Sequence, residues 1–250
     1  MVPSTRQTDE TSGARKIEAV FFDVGSTLIK PEPDVAYVFC DIARAHGHAL
    51  HVAEVLPHMP EVDDFYEQEY LKNGDFWCSA AGSVQIWLDM YRYLCRLCGL
   101  EHDEDAMARD VYSCYTQGRF WAPYPDVRET LIQLKRAGLR LGIISNWDPA
   151  LRGVIREMSL APFFEDIVCS ADVGYRKPDA IIFKIAMERM GLAPDVCLHV
   201  GDLPEADGEG ATAAGITPII IDRDDYQLDC PYTRIKCLDR LPALIGGSHH

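Results

Sequence analysis

Five short runs of apolar and β-branched residues stand out along the chain, and each is typical of a strand buried on both faces. They are IEAVFF (17–22), LRLGIIS (139–145), DIVCS (166–170), VCLHVG (196–201) and TPIIID (217–222). Amphipathic helical patterns separate the last four runs, and another precedes the second. These patterns cover 127–137, 148–158, 178–190 and roughly 204–214. Alternating strands and helices predict an α/β fold with a Rossmann-like, doubly wound parallel sheet.

The stretch between the first strand and the helix at 127–137 has a different pattern. It contains helical patterns rich in aromatic residues and no convincing strand. We therefore expect a Rossmann-like core made of 15–33 and 120–241, with a mostly helical cap domain, 34–119, inserted into it. PEP at 31–33 and APYP at 122–125 are the expected hinges, because proline stiffens the chain where it crosses between the two parts.

Aromatic side chains inside the predicted cap favour packing over binding. Trp77, Trp87 and Tyr91 are expected to form the core of the cap, since large aromatic residues are usually buried. Trp147, in the core, either lines the substrate entrance or packs against the cap, and the sequence favours neither. Nothing in the sequence decides the oligomeric state.

Composition restricts the partners. The chain has 250 residues, of which 48% are hydrophobic, and a formal net charge of −15. It is long enough to bury a sizeable core, and no apolar run is long enough to cross a bilayer. The charge disfavours nucleic acid and anionic membranes, so we expect neither as a partner. An anionic substrate would need a local cation or metal.

The chain ends and the cysteines favour a cytoplasmic protein. Residues 1–14 are polar without a secretory signal and are predicted to be a flexible leader, whereas 246–250 look like a linker with the start of a purification tag. Nine scattered cysteines indicate reduced thiols. The one CxxC, Cys95 and Cys98, lies in a helical pattern without a second ligand pair, so we do not expect zinc there. The histidines between 46 and 58 match no ligand spacing either.

Polar residues follow the predicted strands at their carboxyl ends, where ligands bind in parallel sheets. They are Asp23, Ser145, Asn146, Lys177, Asp202 and Asp207. Taken alone, an aspartate at a strand end could be a helix cap, and so could Ser145 or Asn146. Gathering three carboxylates and a lysine at one edge is costly without a cation, because like charges shift each other's ionisation. Oxygen ligands suit Mg²⁺, which commonly bridges carboxylates to a phosphate. We therefore predict a Mg²⁺ site there.

These residues lie in four motifs that resemble those of the haloacid dehalogenase superfamily. The motifs are Asp23 with Thr27 in FFDVGSTL, Ser145 in IISNWD, Lys177 in GYRKPD, and Asp202 with Asp207 in HVGDLPEAD. The resemblance covers roughly 17–33 and 120–222. The position of the predicted cap, between the first two motifs, resembles the helical-cap subgroup.

The resemblance implies a role for each motif. Asp23 would be the nucleophile that forms an aspartyl phosphate, which water then hydrolyses. Ser145, with Thr27 and Asn146, would bind the phosphoryl group, and Lys177 would offset charge and orient the nucleophile.

The same resemblance implies the ligands of the metal. Mg²⁺ would be held by Asp23, the Gly25 carbonyl and Asp202, with Asp207 helping directly or through water. The implied function is Mg²⁺-dependent hydrolysis of a small phosphorylated metabolite.

Position 25 departs from the family pattern. Phosphatases of the superfamily usually carry a second Asp there as proton donor and acceptor, and a positioned acid or base contributes about 10²–10⁴ in rate. Gly25 has no such side chain, and Ser26 replaces the usual glycine that follows, so the local turn is also in question. Activity is therefore expected to be weak, or selective for leaving groups that need little protonation, unless the cap or the substrate supplies an acid.

Other functions stay open at this stage. A non-catalytic ligand-binding or interaction protein on the same scaffold is the main alternative, and a phosphonatase or a dehalogenase is a further one. Dehalogenases of the family use no metal and usually lack the paired acids, so Asp202 and Asp207 argue against dehalogenation. Phosphonatases need a cap lysine, and the cap offers only Lys72, which we expect at the surface.

Overall fold

The parallel sheet predicted from the apolar runs is present. The structure, a computed structural model, describes residues 16–226 and 229–246. The predicted leader and the two terminal histidines lie outside the described residues.

The strands form one large sheet and one small ribbon. They are β1 (Ala19–Phe22), β2 (Ile29–Pro31), β3 (Trp121–Pro123), β4 (Arg140–Ser145), β5 (Asp166–Cys169), β6 (Cys197–Gly201), β7 (Thr217–Ile221) and β8 (Thr233–Ile235). The sheet has six strands in the order β5-β4-β1-β6-β7-β8, and all neighbours pair in parallel. The α/β, Rossmann-like fold class is thus confirmed.

Helices separate the strands and cover both faces of the sheet. They are α1 (Val35–Ala45), α2 (Val52–Val55), α3 (Met59–Asn73), α4 (Ala80–Leu97), α5 (Glu104–Tyr115), α6 (Val127–Arg136), α7 (Leu151–Glu157), α8 (Ser170–Val173), α9 (Ala180–Met190), α10 (Gly210–Ala213) and α11 (Leu241–Gly246). The helix predicted at 204–214 begins instead as a π-helical turn, Pro204–Glu209, and continues as α10.

Side chains of β1 point alternately to the two faces of the sheet, as a strand requires. Val20 and Phe22 join one buried apolar cluster, whereas Ala19 and Phe21 join another. All four residues are fully buried, because helices cover the central strand on both sides. This double burial explains why the strand appears in the sequence as a continuous apolar run.

The segment between β2 and β3 is helical and has an apolar core of its own. Helices α1 to α5 contribute a third buried cluster that includes Phe39, Leu94 and Met107. We call α1 to α5 the helical insertion. Between residues 32 and 120, which the structure describes throughout, there is no strand. The limits proposed above for the cap domain, 34 and 119, bracket this insertion.

Short strands account for most differences from the sequence prediction. β2 pairs with β3 in an antiparallel ribbon at the two predicted hinges, and β8 adds a sixth strand to the sheet. Each has only three residues. Helix α11 runs to Gly246, the first residue of the predicted tag remnant. No helix in the described part of the chain combines the length and the apolar character needed to span a membrane.

Candidate active site

Three aspartates from two chain regions meet at the carboxyl edge of the sheet. Asp23 follows β1 and Asp202 follows β6, the neighbour of β1, while Asp207 lies in the π-helical turn after β6. One carboxylate oxygen of each lies within 4.8 Å of the others. Among the described residues, this is the one group of three or more acidic, cysteine or histidine side chains with such spacing. The structure thus brings together the three acids that the sequence analysis singled out.

Asp23 is held through one of its two oxygens. Its Oδ1 accepts hydrogen bonds from Lys177 Nζ at 2.6 Å and from Ser145 Oγ at 2.9 Å. Its Oδ2 makes no hydrogen bond within the described residues, and the residue lines a large cavity. Burial raises the pKa of Asp23, although Lys177 acts in the opposite direction. One oxygen is therefore fixed while the other stays available.

Asp207 is held by three donors. Its Oδ1 accepts from Lys177 Nζ at 2.5 Å and lies 2.8 Å from His199 Nε2, and its Oδ2 accepts from the Leu203 backbone N–H at 3.0 Å. Burial acts to raise the pKa of Asp207, but Lys177 and His199 hold it well below its usual range. Gly201 makes this position possible, because a Cβ there would overlap the Asp207 carboxyl group.

Lys177 connects two of the three carboxylates. Its side chain is almost completely buried between Asp23 and Asp207. Burial acts to lower the pKa of Lys177, yet the two carboxylates hold it above its ordinary value. The ammonium group is therefore charged at neutral pH and offsets part of the negative charge of the cluster.

Asp202 is the carboxylate without a close cationic partner. Its one hydrogen bond to a side chain comes from the buried Thr27 hydroxyl at 3.5 Å, the limit of such a contact. Burial raises the pKa of Asp202 well above its usual value, and Asp23 and Asp207 act in the same direction. Three carboxylates thus share a single lysine, and this imbalance is what a divalent cation would relieve.

His199 was not identified from the sequence as a site residue. It lies on β6, is fully buried and packs edge-on against Phe183. Burial lowers the pKa of His199 despite its contact with Asp207. The neutral ring therefore donates from Nε2 to Asp207, and its Nδ1 has no hydrogen-bond partner within the described part of the chain. The feature of the sequence that could have identified His199 is a single histidine within an otherwise apolar predicted strand.

The loop after Asp23 keeps its turn without the usual glycine. Ser26 adopts a positive φ of 53°, the left-handed region that glycine normally occupies. Arg223 supports this loop, since it donates to the carbonyls of Ser26 and Thr27 while it pairs with Asp126. The Gly25 carbonyl accepts from the Thr27 N–H at 2.5 Å, and Gly25 lines the cavity.

Asn146 uses its amide to hold the backbone of Lys177. Its Oδ1 accepts from the Lys177 N–H at 2.8 Å, and its Nδ2 donates to the Lys177 carbonyl at 3.0 Å. Trp147, whose role the sequence left open, does both things considered. It lines the cavity, and together with Tyr91 and Tyr112 of the insertion it also lines a second, smaller pocket.

The helical insertion closes the other side of the cavity, which has a volume of about 900 Å³. Helix α3 presents one face to it, with the side chains of Asp63, Tyr66, Glu67 and Tyr70 spaced three or four residues apart. Trp77 and Trp87 also line it, so they serve both the insertion's packing and the cavity wall. The sequence prediction assigned them to packing alone.

Several other residues behave as the sequence predicts. Lys72 is exposed, pairs with Glu69 and does not line the cavity. The nine cysteines are free. Histidines 46, 48 and 58 each pair with a carboxylate.

Comparisons with known proteins agree on one family. A family model for haloacid dehalogenase-like hydrolases matches residues 17–215. A zebrafish protein, haloacid dehalogenase-like hydrolase domain-containing protein 3, is 31% identical over 232 residues, which cover 90% of this chain and 94% of the relative. A glyceraldehyde 3-phosphate phosphatase of Methanothermobacter thermautotrophicus is 37% identical over 123 residues, 47% of this chain and 52% of that protein.

The solved structures support the fold. The HAD-hydrolase YfnB of Bacillus subtilis, solved bound to magnesium, superposes with a TM-score of 0.76 at 17% identity and covers 92% of this chain and 99% of its own. The span of the family match and the long alignment with the zebrafish relative together establish that the chain belongs to the haloacid dehalogenase-like hydrolases.

Proposed function

We propose that this protein is a Mg²⁺-dependent phosphatase that hydrolyses a small phosphorylated compound through an aspartyl phosphate at Asp23. The observation that carries the proposal is the asymmetry of the Asp23 carboxylate. Lys177 and Ser145 hold Oδ1, whereas Oδ2 has no hydrogen bond within the described residues. A carboxylate oriented through one oxygen, with the other open to a cavity, is suited to nucleophilic attack.

The residues present fit a magnesium ion. Asp23, Asp202 and Asp207 offer hard oxygen donors at suitable mutual distances, and the Gly25 carbonyl borders the same cavity. These are the ligands we propose, because Mg²⁺ prefers carboxylate and carbonyl oxygens and shares its coordination with substrate phosphate. When bound, the ion would offset negative charge on the carboxylates and on the phosphoryl oxygens.

The remaining roles follow from the contacts of each side chain. Lys177 orients Asp23, favours its ionised form and faces the negative charge of a phosphoryl group. Ser145 can donate to a phosphoryl oxygen as readily as to Asp23, since its hydroxyl rotates freely. Asn146 fixes the Lys177 backbone and so positions the ammonium group. Thr27 is buried, and its hydroxyl contacts Asp202. This contact links the loop after β1 to the loop after β6.

Two comparisons support a phosphate substrate. The archaeal relatives are named as phosphatases of glyceraldehyde 3-phosphate, a small phosphorylated compound. The cavity of about 900 Å³ is large enough for such a molecule. We propose a cytoplasmic setting, where the nine free thiols would remain reduced.

The arrangement disfavours the two other chemistries of the family that the sequence left open. Dehalogenation needs no cation, yet Asp202 and Asp207 add two carboxylates to the nucleophile's surroundings. Phosphonatase chemistry needs an amine on the helical side of the cavity. Lys72 lies outside it, and Lys177 is the one lysine among its lining residues.

Turnover measured with a panel of substrates tests the proposal. Aryl phosphates, acyl phosphates, alkyl phosphates and phosphonates are incubated with and without Mg²⁺, and phosphate release is measured for the natural chain and for Asp23→Asn. We expect Mg²⁺-dependent release from phosphates, and its loss in Asp23→Asn. The proposal is wrong if both proteins are equally inert on every phosphate while both bind Mg²⁺.

A further inference from the structure

Cleavage of a phosphate ester leaves negative charge on the oxygen of the departing alcohol. If the proposed function is right, which this inference requires, that oxygen faces the helical insertion while Asp23 attacks phosphorus from the opposite side. Gly25 cannot supply a proton there. A group on the insertion that can donate one would lower the barrier for alcohols, whose conjugate bases are poor leaving groups.

Few donors in the cavity are free for this task. The Ser145 hydroxyl and the Lys177 ammonium group already donate to carboxylates. Asp63 and Glu67 line the insertion side but are exposed. Burial raises the pKa of Asp63, and Glu67 and Asp64 act in the same direction, so Asp63→Asn is included among the variants below. On the insertion side of the cavity, the hydroxyl groups are those of Tyr66 and Tyr70.

The hydrogen bond between Trp77 and Tyr66 determines which way the Tyr66 proton can point. Trp77 Nε1 lies 3.0 Å from the Tyr66 hydroxyl oxygen. An indole N–H can only donate, so the tyrosine oxygen is the acceptor in this contact. The Tyr66 O–H proton is therefore not used by Trp77, and this hydroxyl makes no other hydrogen bond among the described residues. Tyr66 lines the cavity that also holds Asp23.

Tyr70 resembles Tyr66 but faces a different environment. Its hydroxyl accepts from Arg176 Nη1 at 2.7 Å, and the Arg176 guanidinium lies over its ring. Arg176 also pairs with Asp75, so this cluster joins the insertion to the core. Arg176, Glu205 and Lys177 are the charged groups that affect Tyr70, whereas Arg176 and Asp23 affect Tyr66.

We propose that Tyr66 is the proton donor for the leaving group and later the acceptor of the proton from water. In the first step Asp23 Oδ2 bonds to phosphorus, the ester P–O bond breaks, and its electron pair takes the Tyr66 proton, so the alcohol departs neutral. In the second step water attacks phosphorus, and its proton passes to the tyrosinate. The aspartyl P–O bond breaks, which releases phosphate and restores both side chains.

The pKa of Tyr66 determines which leaving groups it can protonate. Burial raises the pKa of Tyr66 to about 12, although the Trp77 hydrogen bond acts to lower it. The hydroxyl is therefore fully protonated at neutral pH. Transfer to an alkoxide is downhill, because alcohols have a higher pKa than Tyr66. Transfer to a nitrophenolate is uphill, because nitrophenols have a lower pKa, so these leaving groups gain nothing.

Kinetics of Tyr66→Phe on matched alkyl and nitrophenyl phosphates, with saturating Mg²⁺, test the proposal. The measured quantity is kcat/KM, which reports the first irreversible step. We expect kcat/KM to fall by about 10²-fold for an alkyl phosphate and by less than about threefold for nitrophenyl phosphate. A structural defect would lower both equally, and thermal unfolding of the variant checks its fold.

Tyr70→Phe is the matched control, since it removes a hydroxyl from the same helix face, and it should leave the ratio of the two rates unchanged. The proposal is overturned if Tyr66→Phe affects both substrates alike or neither, or if Tyr70→Phe or Asp63→Asn produces the selective loss instead. Turnover of nitrophenyl phosphate without any turnover of alkyl phosphate by the natural chain would also overturn it while leaving the proposed function intact. Failure to hydrolyse any phosphate would reject both.

Discussion

Lys177 Nζ donates to Asp23 Oδ1 over 2.6 Å, and both side chains are almost completely buried. The same ammonium group contacts Asp207, so one lysine separates two carboxylates that would otherwise face each other. Removing one member of a buried charge cluster leaves the others uncompensated, which is strongly destabilising.

We expect Lys177→Met to lower the free energy of unfolding by about 3 kcal/mol or more without divalent ions. Urea denaturation measures this loss. Mg²⁺ should restore part of it, because the ion can take over the charge compensation. Lys184→Met, at an exposed position of α9, is the control and should change little. Equal stability of the two variants would contradict the view that Lys177 compensates the cluster.

Asp202 should make the effect of Mg²⁺ on stability depend on pH. Its pKa is raised in the folded chain, mainly by burial, whereas an unfolded aspartate titrates near ~3.9. The folded state therefore binds this proton more tightly. The free energy of unfolding therefore falls as pH rises from the pKa of Asp202 in the unfolded chain through its higher pKa in the folded chain. Mg²⁺ favours the ionised carboxylate and opposes that fall.

Thermal unfolding with and without Mg²⁺ checks this at two pH values. The increase in Tm caused by Mg²⁺ should be larger at neutral pH than at mildly acidic pH, and Asp202→Asn should remove most of the difference. An increase that is the same at both pH values would mean that the bound ion does not interact with the ionised form of Asp202.

Position 25 can accept the missing acid. A Cβ at Gly25 would lie 3.4 Å from Trp147 Cζ3, an ordinary van der Waals contact, so the backbone at position 25 has room for a Cβ. We expect this variant to raise kcat/KM for alkyl phosphates by about tenfold or more and to leave nitrophenyl phosphate nearly unchanged, since only alkoxides need a proton.

The dependence of rate on leaving-group basicity should therefore become flatter in Gly25→Asp, and most clearly in a chain that also carries Tyr66→Phe. Gly25→Asn has nearly the same shape without the acid and serves as control. If Gly25→Asn accelerates alkyl phosphates as well, the gain comes from packing or hydrogen bonding and not from proton donation.

Gly201 should tolerate no side chain. Because a Cβ would overlap the Asp207 carboxyl group, Gly201→Ala must displace Asp207 from Lys177 and His199. We expect weaker Mg²⁺ binding and a fall in kcat/KM of about 10- to 100-fold, the usual effect of disturbing residues that orient a metal ligand. Calorimetric titration with Mg²⁺ and phosphatase assays measure both.

Gly153→Ala is the matched control for that substitution. A Cβ at Gly153 would contact nothing within 4 Å, and the residue lies within α7. Alanine is favoured over glycine in a helix by about 0.5–1 kcal/mol, so this variant should be as active as the natural chain and slightly more stable. Retention of full Mg²⁺ affinity in Gly201→Ala would show that Asp207 is not needed in its present position.

The sequence was sufficient to predict five of the six strands of the sheet, because strands buried on both faces appear as continuous apolar runs. It missed β8, Thr233–Ile235, which lies at the edge of the sheet, has three residues and buries only Ile235. Such a strand has no apolar run to detect. The same reason applies to β2 and β3, whose pairing depends on segments far apart in the chain.

The motif residues of the site were also predictable, since each follows a strand whose carboxyl end lies at one edge of the sheet. Contacts that depend on tertiary packing were not. The Trp77–Tyr66 hydrogen bond joins two residues of the helical insertion, and its closeness to Asp23 depends on how the insertion sits over the sheet. Arg223 reaches the Ser26 loop from the segment that follows β7, and no local pattern indicates this contact.

The covalent intermediate is the central claim, and intact-mass spectrometry after a rapid acid quench tests it most directly. The protein is mixed with nitrophenyl phosphate and Mg²⁺, quenched within one turnover and digested, and the modified peptide is identified. We predict the added mass of one phosphoryl group, located on Asp23 and absent from Asp23→Asn. Phosphate release by the natural chain with no such adduct on Asp23, together with undiminished turnover in Asp23→Asn, would contradict the account.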